Sequence, residues 1–277
     1  MTGFGAMIFA AGYGERLRPL TEEVAKPALP FLNIPMLAFS HYFLNQLALS
    51  SKVVNVHHRP ETLIEALGQM EALSSVGRSG SSSPPMHISH EREALLGSGG
   101  GLKFAFEQGF FKGCDHVWLF NGDSVCLMPK PLSCLEQLQQ RHLQESALAT
   151  LLVVPHPQAG IDFGAVWVDD KGQIKDFGLK SSGPSLKPLH YSGIMLVSRS
   201  LFDFDLGKNI IYDGLLPAIQ QRQAKVIVHI EPELLCLETG NPKDYELSQE
   251  ICQKILRQAS HPLRPHLKDI LSSYSPR

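Results

Sequence analysis

The chain has 277 residues, a formal net charge of −2 and 43% hydrophobic residues, so it can bury a sizeable core and carries no basic surplus that would mark a nucleic-acid binder. Its five cysteines are odd in number and include no CxxC pair, which argues against a disulfide framework and a cysteine-rich zinc site and points to a reducing compartment. The N-terminus lacks a basic region ahead of its short apolar run and no segment approaches membrane-spanning length, so a cytoplasmic protein with neither a nucleic-acid nor a membrane partner is expected.

Ala6 to Ala11 is a continuous apolar run that stops at Gly12, as suits a central parallel strand covered on both faces. Gly12, Tyr13, Gly14, Glu15, Arg16, Leu17, Arg18, Pro19, Leu20 and Thr21 follow, then Lys26 and Pro27. Glycines at a strand end let backbone N–H groups approach an anion closely. Arg16 can hold phosphate oxygens with its planar fork, and Lys26 adds a point charge. A dinucleotide fingerprint is excluded because its third glycine would fall on Leu17, and no Walker A Gly-Lys-Ser/Thr is present.

Pro35 predicts the opening of a helix that runs to about Ser50, Lys52 to His57 a second strand, and Pro60 to Leu73 a second helix. His57 and His58, adjacent on a strand end, would face opposite ways and make a poor metal pair. Ser74 to Pro85 is low in complexity and reads as a mobile surface loop. The segment from His90 and Glu91 to Gly97, Ser98, Gly99, Gly100, Gly101 and Leu102 predicts a glycine loop ahead of an apolar helix; hinge and ligand-binding loop are equally open readings of it. Val117 to Phe120 is a third strand, ending at Asn121, Gly122 and Asp123. Open α/β sheets bind ligands at the carboxyl ends of their strands, and a carboxylate there can hold Mg²⁺ or cap the next turn.

Leu132 to Leu143 is helical and Ala147 to Val154 a strand. Phe163 to Val168, Ile174 to Phe177 and His190 to Val197 are short strands, with a tight turn at Asp169–Gly172. Ile210 to Gln223 is a helix, Lys225 to Ile230 a strand and Pro242 to about Ala259 a closing helix; the prolines that closely follow His261, Pro262 and Pro265, suggest a peripheral tail. Strands alternating with helices give an α/β class with an open, mostly parallel, Rossmann-like mixed sheet flanked by helices.

The joint pattern Gly12, Gly14, Arg16, Pro19, Thr21, Lys26 and Pro27 resembles the signature of the sugar-1-phosphate nucleotidyltransferases, the NDP-sugar pyrophosphorylase family, nearest to its short uridylyltransferase and guanylyltransferase members. The likeness runs from about Ala6 to Tyr245. It implies a GT-A-like nucleotidyltransferase domain over residues 1–260, with an NTP-binding half over 1–125, a small sugar-phosphate-binding lobe over 126–245, and a tail over 261–277. No hexapeptide pattern follows, so the acetyltransferase β-helix fused to some relatives is not expected.

By this resemblance the chain transfers NMP from an NTP, UTP being favoured, to a sugar 1-phosphate, giving NDP-sugar and pyrophosphate. Arg16, Lys26 and Asp123 would be catalytic. Ala11, Gly12, Gly14, Glu91, Gly97, Ser98 and Gly99 would hold the nucleotide, and Asp162, Ser192 and Gly193 the sugar phosphate. Asp123 and Glu238 would carry Mg²⁺. Glu238 stands where the family typically has Asp, one methylene shorter, which matters to an ion demanding octahedral geometry. Two other readings stay open: a non-catalytic, nucleotide-sugar-sensing homologue on the same fold, and a cytidylyltransferase acting on a non-sugar phosphate such as phosphocholine. A homo-oligomer is also left open.

Overall fold

The computed structural model describes residues 2–75, 84–180, 183, 185–221 and 224–275. Most of the Ser/Gly/Pro-rich stretch expected to be a mobile loop, and the end of the helix expected to reach Gln223, lie outside the described residues. In chain order the first half holds β1 (Phe4–Phe9), the two-residue strands β2 (Pro30–Phe31) and β3 (Ile34–Pro35), α1 (Ala38–Leu44), β4 (Ser51–Val56), α2 (Pro60–Ser75), β5 (Met86–His90), α3 (Gly97–Glu107), β6 (His116–Asn121) and β7 (Val125–Leu127). The second half holds α4 (Pro131–Gln144), β8 (Ala149–Val154), β9 (Ala165–Val168), β10 (Ile174–Gly178), β11 (Lys187–Ser198), α5 (Leu216–Gln220), β12 (Val226–Ile230), β13 (Leu235–Leu237), α6 (Pro242–Arg257) and α7 (Arg264–Tyr274).

A nine-stranded sheet organises these elements. Strand β1 lies parallel between β4 and β6, and β5 extends this parallel unit beyond β4. Strand β11 then runs antiparallel to β6, to β8 and to β9, while β8 and β12 pair in parallel. Both faces of β1 are covered, which is why its sequence is apolar without alternation. Ala6, Ile8 and Ala10 face a cluster with α1, α2, α4, α6 and α7, whereas Met7 faces Leu102 and Ala105 of α3, Ile210 and Ala218.

Several sequence expectations are corrected. The helix expected from Pro35 begins at Ala38, because Leu32 and Asn33 take positive φ (51° and 68°) and turn β2 back onto β3, the twist that closes a two-residue hairpin. The glycine run expected as a loop is the first turns of α3 itself. A Cβ on Gly99 would stand 2.1 Å from the Leu206 carbonyl oxygen, and one on Gly101 2.5 Å from Glu91 Oε1, so these glycines allow close packing of a helix.

The described residues after His261 are no peripheral tail. They carry α7, which buries Leu267, Ile270 and Tyr274 in the main core. Its Tyr274 hydroxyl meets His41 Nδ1 at 2.8 Å, and Tyr42 donates to Asp269. Edge strand β5 was not foreseen. The helix expected from Ile210 starts as a π-helical turn, Ile210–Leu215, capped by the Asn209 side chain, before α5. The turn at Asp169–Gly172 forms as expected, with Asp169 Oδ1 accepting from the Lys171 and Gln173 N–H groups.

Candidate active site

The loop that leaves β1 wraps one wall of a cavity of about 620 Å³ at the carboxyl ends of β1, β4 and β6. Gly14 takes a left-handed φ of 64° and opens a 3-10 turn over Glu15–Leu17. Thr21 Oγ1 donates to the Gly14 carbonyl at 2.9 Å and closes the loop on itself. Ala11, Gly12, Gly14, Arg16, Lys26, Gly97, Ser98 and Asp123, all chosen from the sequence, line this one cavity. Lys26 Nζ donates to Asp123 Oδ2 at 2.6 Å, with the lysine side chain 12% and the aspartate 39% exposed.

A smaller cavity of about 170 Å³ adjoins it, lined by Glu238, His190, Tyr191, Ser192, Cys126 and Cys236, and it shares Arg16, Lys26, Asn121, Asp123 and Gly240 with the first. The β7–β13 ladder explains why distant carboxylates meet here. Val125 pairs with Leu237, so one step further along an antiparallel ladder sets Glu238 opposite Ser124, next to Asp123. Thr239 Oγ1 donates to the Asp123 carbonyl at 2.9 Å and ties the two loops together. The Arg16 guanidinium lies against Gly240, where an added Cβ would stand 3.1 Å from Nη2.

Burial, and next the charge of Asp244, push the Glu238 carboxyl above its ordinary range, against the pull of His156, Lys26 and Arg16. His190 Nε2 stands 3.8 Å from Glu238 Oε1. Burial, helped by His156, brings the His190 imidazole down to about 4, so near neutral pH this contact is not an ion pair. Two carboxylates facing one cavity beside polar backbone fit a hard divalent ion that takes most of its oxygens from phosphates and water. Asp123 and Glu238 are therefore the groups able to hold one.

Of the other predicted residues, Ser192 lines the smaller cavity and the rest lie outside both cavity walls. Glu91 is buried and lines neither cavity. Its Oε1 accepts from Asn55 Nδ2 at 2.7 Å and its Oε2 from the Leu96 N–H at 2.8 Å. Gly99 sits against Leu206 and is likewise absent from the cavity wall. Ser192 directs its hydroxyl to the Leu152 carbonyl at 2.9 Å. Gly193, at φ 83°, lets β11 approach Ser124 Oγ to a point where a Cβ would be only 2.4 Å away. Asp162 is exposed and lines neither cavity; its neighbour Phe163 packs edge-on to His190 with ring centroids 4.7 Å apart. His57 and His58 make local hydrogen bonds to the Glu91 and Thr21 carbonyls, at 2.6 and 2.7 Å.

Sequence reasoning missed Asn55, Asn121, Thr239 and His190 as site residues. Asn55 carried a readable signal: an amide inside an apolar, fully buried strand must have partners. Its Oδ1 accepts from the Ala10 N–H at 2.7 Å, so Ala10, Asn55, Glu91 and Leu96 form one chain joining the two walls of the larger cavity.

Comparison with known proteins gives a family model, described as nucleotidyl transferase, that matches residues 5–245. The chain is similar to the mannose-1-phosphate guanylyltransferase catalytic subunit beta of Xenopus tropicalis, 26% identical over 258 residues that cover 93% of this chain and 66% of that protein. It is also similar to the mannose-1-phosphate guanyltransferase of Yarrowia lipolytica (27% over 246 residues; 86% of this chain, 61% of that protein). A third relative is the Drosophila melanogaster catalytic subunit beta (26% over 261 residues; 94% and 66%). The chain thus spans slightly less than two thirds of the length of these relatives.

Proposed function

Because the chain belongs to the nucleotidyl transferase family, we propose that it transfers a nucleoside monophosphate from an NTP to a sugar 1-phosphate, releasing pyrophosphate. The observation that carries this reading is the sharing of Arg16, Lys26, Asn121 and Asp123 by two adjoining cavities. The larger suits a nucleoside triphosphate and the smaller a phosphorylated sugar, in keeping with an NTP-binding half and a sugar-phosphate-binding half. Names of the similar proteins support GTP and mannose 1-phosphate as the first pair to test; UTP, favoured on the sequence alone, gains no support from them.

The nucleophile is an oxygen of the sugar phosphate and is already anionic, so no strong general base is needed. It attacks the α-phosphorus, the bond to the β-phosphate breaks, and pyrophosphate carries away the electron pair. The difficulty is bringing two polyanions together, and catalysis is positioning plus charge neutralisation. Loop N–H groups around Gly12–Gly14 hold the triphosphate, Arg16 and Lys26 draw charge from the departing pyrophosphate, and Asn55 fixes the loop through Ala10. Asp123 and Glu238 would hold Mg²⁺, which would supply positive charge between the reacting phosphates. A cytoplasmic setting goes with this reading and is supported by five free cysteines; no helix among the described residues is long and apolar enough to cross a membrane.

The test is pyrophosphate release across the four NTPs and a panel of sugar 1-phosphates with Mg²⁺, with GTP and mannose 1-phosphate expected to lead. Nucleotide binding without turnover on any sugar phosphate would replace this reading with a sensor. Turnover on phosphocholine alone would replace it with a cytidylyltransferase.

A further inference from the structure

A second cluster of metal-ligating side chains lies away from Asp123 and Glu238. Cys134 Sγ, a ring nitrogen of His229 and a carboxylate oxygen of Glu231 all lie within 4.8 Å of one another. The fold builds this meeting. His229 ends the inner part of β12 and Glu231 follows two residues later, so both project from the same face of an extended segment. The Glu231 N–H, bonded to the Val153 carbonyl at 2.9 Å, keeps that segment on the sheet beyond the strand end. Cys134 comes from the first turn of α4, whose backbone is anchored by its N–H to the Lys130 carbonyl at 3.1 Å. Cys134 is buried, whereas His229 and Glu231 are half-buried, so an ion has a route in from solvent.

We propose that Cys134, His229 and Glu231 form a zinc site that clamps α4 to β12, separate from the catalytic cation. The donor set decides the ion. Sulfur, imidazole nitrogen and one carboxylate oxygen suit borderline-soft Zn²⁺, whereas Mg²⁺ and Ca²⁺ want oxygen alone. Zinc bond lengths of about 2.0–2.3 Å imply donor separations of roughly 3.3–3.7 Å, so the groups need close by only on the order of 1 Å. On binding, the Zn–S bond forms as the thiol proton leaves to solvent. Thiolate and carboxylate then balance the dication, and the site is neutral where it is half-buried. Arg141 of α4 acts on His229 as a like charge, and the two anionic ligands offset it. A water completes the tetrahedron. Helix α4 follows β7, whose Cys126 lines the smaller cavity, after the three residues 128–130.

Cobalt is the probe. The full chain, reduced, is titrated with Co²⁺. One equivalent is expected to give a thiolate-to-cobalt charge-transfer band and the intense visible bands of a tetrahedral ion, both lost on adding Zn²⁺. Cys134→Ser and His229→Gln, each checked for fold by circular dichroism without metal, should lose the band and bind Zn²⁺ at least about tenfold more weakly. Cys126→Ser should keep the band, because Cys126 and Cys236, with sulfurs 3.7 Å apart, are the competing thiols. Zinc-edge X-ray absorption on the wild-type complex gives the ligand set without any variant. A single sulfur among nitrogen and oxygen ligands supports the clamp. Zero or two sulfurs, no band in the wild type, or a band that survives in folded Cys134→Ser overturns it.

Discussion

At the scale of single residues, the contact that matters most is the 2.6 Å pair between Lys26 and Asp123. Asp123→Ala is expected to lower turnover by at least about a hundredfold, the loss typical of a group that stabilises developing charge, while leaving the circular dichroism spectrum unchanged. Pyrophosphate release measures it, and a variant with most of its activity would remove Asp123 from the mechanism. Glu238 makes a pH-dependent prediction. Its carboxyl is held high by burial and then by Asp244, and the ionised form is the one that can hold a cation. Activity should therefore rise as pH climbs through the Glu238 titration. Asp244→Asn removes one cause of the upward shift, so the acidic limb of kcat/KM should move to lower pH; an unmoved limb would take Glu238 out of the reaction. Legibility at this scale followed the chemistry. Arg16 and Lys26 stood out because charged residues after a glycine loop have few structural uses, and Asp123 because it ends an apolar strand, where open α/β sheets bind ligands. Glu91, read as a nucleotide contact, lines neither cavity, and Ser192 lines the smaller one with its hydroxyl turned to the Leu152 carbonyl; a polar side chain in a loop or strand gives no sign of whether it faces a ligand or a neighbouring backbone.

At the scale of elements, α3 is the sharpest case. Three adjacent glycines weaken helix propensity by roughly 1 kcal/mol each relative to Ala, which is why the segment reads as a loop. Tertiary packing overrides that preference, since only a bare backbone fits where Gly99 meets residues 206 and 207 and where Gly101 meets Glu91 and Asn55. Gly99→Ala is expected to destabilise the protein by about 1–3 kcal/mol through overpacking and, by shifting Gly97 and Ser98, to raise KM for the nucleotide more than it lowers kcat. Urea denaturation and steady-state kinetics measure the two effects separately. Helix α7 was misread for a similar reason: prolines mark where a helix begins as readily as where order ends, and Pro265 occupies the first turn of α7. Leu267, with no exposed surface, makes the test. Leu267→Ala should cost about 2–5 kcal/mol, whereas a peripheral tail would tolerate it.

For the molecule as a whole, the parallel character of β1, β4 and β6 was readable because strands covered on both faces are apolar throughout, whereas their order in the sheet was not. The antiparallel insertion of β11 beside β6 was not, because strand pairing depends on contacts between segments far apart in sequence. Whole-molecule stability should also respond to acid. His142, His190 and His266 are each lowered from 6.5 to about 4, chiefly by burial. The unfolded chain takes up these protons first, so their contribution is complete above about pH 6.5 and declines as pH falls toward 4. Glu71, lowered to about 2 by its bond to His41, with Lys52 assisting against the cost of burial, adds stability present above its ordinary 4.5 and lost between there and 2. The urea midpoint is thus expected to fall steadily from pH 7 to pH 4, and a level profile would contradict the burial of these rings.

The junction of the two cavities has one more consequence. The Lys26 ammonium and the Asp123 carboxylate already satisfy each other, so neither is a bare charge awaiting a partner. On the proposed function, an incoming triphosphate would swap one anion for another at the ammonium, and the carboxylate it frees would become available to a cation in the same exchange. Nucleotide arrival and metal recruitment would then be coupled events, and magnesium affinity should be far greater with the nucleotide than without it.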